Sequence, residues 1–358
     1  MKLEGSSFST NRKNRIILID LLYLGDLMFA TPFLKELRKN FPEARIDMVV
    51  NSVFHGLMED SPFLDNVYSY NKKWSIRESV RFAREIAKNK YDLGLNIHGN
   101  WRTALLLKLI KPAYTIGYGG KGRGIFLDRE LQPSDEKHMV DNYLDFLREL
   151  DLVVEDGYPQ IGVSEEARSS IQNKLTDWGV NSEEELIALN TGGTWPTKRW
   201  TVEGFAELAD ELNRNYGKVI FIGSQADLER VETIVGYMDT EAIIATGRTT
   251  LKELAALLER CTLVISNDSG PVHVASAVGT PTITIFGPSD DRKYRPRGDK
   301  HRIVETRIEC RPCGEHECPL GHHSCMRDIS AEQILKVIRE INNKSKINFY
   351  KTNILLDD

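Results

Sequence analysis

The sequence has no apolar run approaching the roughly 18 residues that a membrane-spanning helix needs. Its first stretch, Met1 to Asn14, is polar and lacks the apolar core of a signal peptide. A cytoplasmic location is therefore the default expectation. An excess of positive charge is also missing: 47 Lys and Arg stand against 52 Asp and Glu, a formal net charge of −5. A protein built to wrap nucleic acid is normally basic overall, so that class is set aside, although local basic patches for small anions or lipids are compatible with this balance. There is no low-complexity segment and no short repeat. Cysteine is scarce, and four of the five fall between Cys310 and Cys325.

What remains is globular composition, with 41% hydrophobic and 28% charged residues. At about 150 residues per domain, the 358 residues favour two domains, each able to bury a normal core. Apolar runs at Arg15–Asp20, Ala44–Val50, Tyr91–Ile97 and Tyr114–Tyr118 read as strands. Helical patterns run to Asn40 and over Ile76–Lys88, Thr103–Ile110 and Val140–Leu150. After an irregular stretch the alternation restarts. Strands are expected at Leu186–Asn190, Lys218–Ile222, Ala242–Ala245, Leu263–Ser266 and Thr282–Phe286, with helices at Val202–Asn213, Leu228–Met238, Leu251–Leu258 and Pro271–Val278. Continuous apolar strands alternating with helices imply parallel sheets covered on both faces. The expectation is α/β: residues 1–163 and 164–330 as two doubly wound, Rossmann-like domains facing across a cleft, then a helix and tail over 331–358. Ligands of such sheets bind at the carboxyl ends of strands.

The richest stretch runs from Ile265 to Pro281. A strand gives way to the polar turn Asn267-Asp-Ser-Gly270, and Pro271 sits where the first turn of a helix tolerates it. Amides around Ser269 and Gly270 would point out of a helix N-terminus, which binds phosphate through free donors and the positive end of the dipole. Helix capping by Asp268 or Ser269 accounts for part of the same pattern. Asn190-Thr-Gly-Gly-Thr-Trp-Pro-Thr-Lys-Arg-Trp200 also follows a strand directly. Its glycines allow close backbone approach, while Thr194 and Lys198 offer a hydroxyl and a cation to a departing diphosphate. The Gly-Lys-Ser/Thr order of a Walker loop is absent. A third strand end carries Asp227, placed to accept from ribose hydroxyls or simply to start a helix.

In the first half, Gly25-Asp26 follows a strand, with Thr31-Pro32 beyond it. An aspartate there can deprotonate an acceptor hydroxyl, worth roughly 10²–10⁴-fold, although a helix N-terminus weakens it as a base. Capping is the other use of that residue. Between Arg102 and Arg129 the basic residues include Arg102, Lys121 and Arg123, the last two within the glycine-rich 117–124 stretch. This suits an anionic acceptor or forms a solvated face.

Taken together, the Gly25-Asp26 loop with Thr31-Pro32, the Lys198-Arg199-Trp200 turn, the Asn267-Asp-Ser-Gly-Pro-Val-His273 run and Phe286-Gly-Pro288 resemble glycosyltransferase family 9, the bacterial lipopolysaccharide heptosyltransferases. The likeness spans about Arg15 to Asp328. It implies a GT-B fold and an inverting, metal-independent transfer of heptose from ADP-heptose to the inner core of lipopolysaccharide. It implies Asp26 as base; Thr194, Lys198, Ser269 and Gly270 on the diphosphate; Asp227 on the ribose; and Asp268 and His273 on the donor side. Arg102, Lys121 and Arg123 would hold an anionic glycolipid acceptor, which brings peripheral contact with the cytoplasmic face of the inner membrane. No nucleic acid is expected. One departure is Asn96-Ile-His98-Gly99, where relatives usually carry Gln or Pro in place of His98.

The cysteine segment has metal spacing in Cys310-Arg-Pro-Cys313, but the later gaps to Cys318 and Cys325 do not match a regular finger. The favoured reading is reduced thiols and imidazoles packing a loop beside the donor site, without a bound metal or other cofactor. Zinc on the four thiols is the lesser reading. The segment Cys318-Pro-Leu-Gly-His-His-Ser-Cys325 resembles the second-heptose subgroup. Three other activities fit parts of the pattern. Another sugar donor or a protein acceptor would be separated by donor profiling. A sugar-nucleotide epimerase would release altered sugar without an acceptor, and a non-catalytic nucleotide-binding module would bind ADP without turnover.

Overall fold

A computed structural model of the chain describes residues 14–119, 123–155 and 157–345. The chain divides into two compact units, Met1–Gly162 and Val163–Asp358. In the first, the strands are β1 (Arg15–Asp20), β2 (Arg45–Asn51), β3 (Asn66–Tyr70), β4 (Leu93–Asn96), β5 (Tyr114–Tyr118) and β6 (Arg129–Leu131). Its helices are α1 (Leu24–Phe29), α2 (Thr31–Asn40), α3 (His55–Met58), α4 (Ile76–Ala87), α5 (Trp101–Ile110) and α6 (Met139–Arg148). All six strands pair in parallel in the order β3-β2-β1-β4-β5-β6.

The second unit opens with α7 (Glu165–Asp177) and carries β7 (Leu186–Asn190), β8 (Lys218–Ile222), β9 (Ile243–Ile244), β10 (Leu263–Asn267), β11 (Thr282–Phe286) and β12 (His301–Glu305). Between and after these lie α8 (Val202–Asn215), α9 (Leu228–Gly236), α10 (Leu251–Arg260), α11 (Gly270–Ala277), α12 (Asp291–Tyr294), α13 (Ser324–Arg327) and α14 (Ala331–Ser345). The order β12-β11-β10-β7-β8-β9 repeats the first sheet's winding. Strand order reverses beside β1 and β4 in one unit and beside β7 and β10 in the other. These are the switch points at which ligands of doubly wound sheets bind.

Central strands are apolar throughout because helices cover both faces: Ile16 to Ile19 and Leu186 to Leu189 are all at most 1% exposed. Edge strands carry more polar residues, as in Asn66–Tyr70, Arg129–Leu131 and His301–Glu305, and sequence pattern alone did not separate them from loops. Helix starts follow from capping. Ser75 and Glu78 form a reciprocal box at α4, as Thr250 and Glu253 do at α10. The C-terminal helix, set apart from sequence as a tail segment, shares the second unit's core. Ala331, Ile334, Leu335, Ile338 and Ile341 pack in the apolar cluster that holds Trp200, Phe205 and Leu208. Trp200 is fully buried, its ring 4.9 Å from that of Phe205, and its Nε1–H donates to Ile329 O at 2.9 Å.

Among the described residues of the first unit three carboxylates are buried, Asp20, Glu36 and Asp47. Asp20, at the end of β1, is 2% exposed. Its Oδ1 accepts the Leu22 N–H at 2.9 Å, and its Oδ2 is buried without a hydrogen-bond partner. Burial pushes this carboxyl up from 3.8 to about 7; the Leu22 N–H works against that, the Asp26 charge adds to it, and Lys72 opposes it.

Two outcomes follow. Trp200→Ala should cost about 3–5 kcal/mol in urea unfolding, and a cost below about 1 kcal/mol would mean that the neighbouring side chains close the space. Asp20 is protonated more readily folded than unfolded, so the wild type should lose stability as pH rises from 3.8 through about 7. Asp20→Asn should flatten that decline, gaining most at pH 8 and least at pH 4. Parallel pH profiles for the two proteins would refute it.

Candidate functional site

Two strand ends of the second unit, those of β7 and β10, are tied together by two asparagines. Asn267 closes β10, and its Nδ2 donates to Thr191 O at 2.8 Å and to Gly192 O at 3.1 Å. Its Oδ1 accepts the Trp200 N–H at 3.1 Å. Asn190 closes β7, and its Nδ2 donates to Ser266 Oγ at 2.9 Å and Ser269 Oγ at 2.6 Å. Asparagine suits both positions because its carboxamide carries donors and an acceptor. A polar residue ending an otherwise apolar strand, in Leu-Ile-Ala-Leu-Asn190 and Leu-Val-Ile-Ser-Asn267, was the visible signal for both.

The loops held this way carry the donor-side residues read from sequence. Lys198 Nζ lies 2.7 Å from Asp268 Oδ2, with side chains 16% and 5% exposed. The ammonium also lies 4.5 Å from the Trp195 ring centroid, and Trp195 stacks on His316 at 4.1 Å. Neither aromatic partner was singled out from sequence, because only folding brings the cysteine segment onto this turn. Ser269 precedes α11 with extended backbone and makes no side-chain cap to the helix; its hydroxyl meets Asn190 instead. Capping by Ser269 therefore does not account for the motif. Gly270 begins α11 and Pro271 follows, so the helix presents its N-terminus at the end of β10.

Asp227 ends a helical turn after β8. Its Oδ2 accepts the Ser224 N–H at 2.9 Å and the Ser224 Oγ–H at 2.6 Å. A side chain at Gly192 would bring its Cβ within 2.8 Å of Asp227 Oδ1, so glycine allows these loops to abut. Thr194 is exposed on the same loop, whereas His273 is buried inside α11 at 4% exposure. The structure thus gathers Lys198, Asp268, Ser269, Gly270 and Asp227 around the ends of β7, β8 and β10, with His273 set into the helix below.

In the first unit Asp26 occupies the first turn of α1 and is partly exposed. Its Oδ2 receives the Tyr23 N–H at 3.4 Å, a long bond. Around it lie groups that sequence alone did not connect. Lys72 stands 5.5 Å from the Tyr23 ring centroid. Burial holds its ammonium below the usual lysine value, Asp20 counters this, Arg102 adds to it, and Asp26 counters it again. The Leu21 N–H donates to His98 Nδ1 at 3.0 Å. Burial, with the Lys72 charge beside it, pushes His98 down to about 4, so the ring is neutral at pH 7. Arg102 is exposed on the first turn of α5, which Asn100 caps. Arg123 opens the helical turn Arg123–Phe126, and Lys121 lies outside the described residues.

The cysteine segment belongs to the second unit. Cys310, Cys313, Cys318 and Cys325 are free thiols that line one small pocket together with Thr197, Pro288, His322 and His323. Among the described residues no helix is long and apolar enough to cross a membrane.

Comparison with known proteins agrees with this arrangement. Residues 79–324 match the model of glycosyltransferase family 9 (heptosyltransferase). A glycosyl transferase family 9 crystal structure from Veillonella parvula is 31% identical with a TM-score of 0.86, covering 95% of this chain and 100% of that one. Lipopolysaccharide heptosyltransferase 3 of Escherichia coli K12 is 29% identical over 288 residues, 76% of this chain and 83% of the relative. The structure of E. coli ADP-heptose LPS heptosyltransferase II shares the fold at a TM-score of 0.79 and 23% identity, covering 93% and 99%. The winding, the strand-end motifs and the family match agree: the chain is a glycosyltransferase and belongs to glycosyltransferase family 9, the heptosyltransferases.

Proposed function

We propose that this chain transfers heptose from ADP-heptose to the inner core of lipopolysaccharide by a single inverting displacement. The reading is carried by the Lys198–Asp268 pair beside the N-terminus of α11, a fixed cation and outward amides at one strand end. As the sugar–phosphate bond breaks, the diphosphate gains charge, and preorganised donors there stabilise it without reorganising. In the free chain Asp268 holds the ammonium in position. A diphosphate entering the site would share or take over that cation, while Asp227 accepts from the ribose and Thr194 offers a hydroxyl to the phosphates. His273 would support this helix from within. The donor identity rests on family membership and on relatives described as ADP-heptose or lipopolysaccharide heptosyltransferases.

On the acceptor side, Asp26 would take the proton of the attacking hydroxyl as that oxygen bonds to the anomeric carbon opposite the leaving ADP. A carboxylate at a helix N-terminus is ionised at neutral pH, so proton transfer comes late in the attack. Arg102, with Lys121 and Arg123, would take carboxylates or phosphates of an anionic glycolipid. Such an acceptor implies work at the cytoplasmic face of the inner membrane through peripheral contact. The chemistry as drawn gives the leaving-group charge to Lys198 and the amides, with no divalent cation assigned a step.

The direct test is incubation with ADP-heptose and defined core acceptors, read by product mass. No mass gain with any heptose-accepting core would reject the activity. Asp26→Asn should lower transfer by roughly 10²–10⁴-fold while calorimetry finds ADP affinity unchanged; full turnover would remove Asp26 from the mechanism. Lys198→Ala removes a charge-assisted contact and should weaken ADP binding by about 10–100-fold. Equal affinity in the two proteins would remove Lys198 from the donor site.

A further inference from the structure

The four thiols are not spread over the surface but gathered in a loop that presses on the donor-side turn. Cys310 and Cys313 are separated by two residues, and Gly314 follows at φ +71, a left-handed turn that glycine makes without strain. The Gly314 N–H is tied to Pro288 O at 2.9 Å. Cys318 starts a second turn, closed by the Gly321 N–H to Cys318 O at 3.1 Å, with Gly321 at φ +72. Cys325 enters from the start of α13, and all four cysteines line one pocket of about 20 Å³, room for a single small particle.

The neighbouring imidazoles are already engaged. His322 Nδ1 accepts the Ser324 N–H at 2.9 Å, and His323 Nε2 meets Thr197 O at 2.7 Å. Each has one ring nitrogen engaged, and the four thiols are the larger ligand set at this pocket. As the side chains stand, no three His, Cys, Asp or Glu among the described residues converge closely enough to hold an ion. Cys310, Cys313 and Cys318 are each at least partly exposed, so rotation of their side chains toward the shared pocket is the movement that ligation would require.

We propose that Cys310, Cys313, Cys318 and Cys325 form a four-thiolate site for one thiophilic cation, zinc or iron, and that this ion holds the turn carrying Trp195 and Lys198. Four sulfurs in tetrahedral array suit either metal. Binding replaces each thiol proton by a metal–sulfur bond and releases the protons to solvent, with no redox change. The mechanical link is short. Thr197 Oγ1 donates to Glu315 O at 2.8 Å, His323 holds Thr197 O, and His316 stacks on Trp195, over which the Lys198 ammonium lies. The ion would act through these contacts without touching the substrate. This positioning role rests on the donor-site reading above, whereas metal binding itself does not.

The test is elemental analysis of the full-length protein, purified without a metal-binding tag, and of Cys318→Ser, Cys310→Ser and Cys261→Ala. The expected result is one equivalent of metal in the wild type and in Cys261→Ala, with strong loss in the other two. The element found decides between zinc and iron. Cobalt(II) added to stripped protein should give intense thiolate-to-cobalt absorption. Metal below about a tenth of an equivalent together with no cobalt–thiolate band would overturn the site, as would a wild-type metal content in Cys318→Ser and Cys310→Ser. Stripping should also raise the Kd for ADP several-fold, restored by adding back the metal. An unchanged Kd in a protein that does bind metal would overturn the positioning role alone. Because metal content is read without donor or acceptor, failure of the proposed transfer reaction leaves this result separately readable.

Discussion

The buried side chain of Asn267 makes three hydrogen bonds, to Thr191 O, Gly192 O and the Trp200 N–H, and so joins the loop after β7 to the end of β10. A leucine there would leave these backbone groups buried and unpaired, and an aspartate would set a charge against two carbonyls. Asn190 completes the tie from the other strand by holding Ser266 and Ser269. With both strand ends fixed, Lys198 and Asp268 meet at 2.7 Å in a nearly dry setting, and the N-terminus of α11 lies beside them. The place of this ion pair is thus fixed by the fold's own hydrogen bonds.

The two units repeat one winding but use it differently. In the second, polar groups at the switch point are paired with one another, giving a stiff cradle. In the first, the switch point holds groups whose charges are held in tension: Asp20 raised to about 7, His98 held neutral, and Lys72 pushed below its usual value. Asp20 and Lys72 both couple electrostatically to the partly exposed Asp26. Asp26 is well supplied with neighbours that set its surroundings, and most of them come from other strand ends rather than from its own helix.

How much of this could be read from the chain differs from element to element. The central strands were legible because burial on both faces demands continuous apolar runs, as in Arg-Ile-Ile-Leu-Ile-Asp20. β3, β6 and β12 were not, since at a sheet edge the apolar run is broken by polar residues and the signal falls to that of a loop. The strand-turn-helix form of Asn267–Pro271 was legible because its parts are contiguous: a strand end, a polar turn and a proline at a helix start.

What the sequence determined by itself was the α/β winding, the strand-turn-helix form of the Asn267–Pro271 stretch and the family to which the chain is similar, all properties of neighbours along the chain. Only the tertiary structure decided that Ser269 serves Asn190 rather than its helix, that Lys72 couples to both Asp20 and His98, that α14 joins the second core, and that four cysteines share a pocket. The physical reason is range. Helix and strand periodicity are written in nearest neighbours, whereas burial, pairing and charge coupling depend on distances that exist only once the sheets have closed.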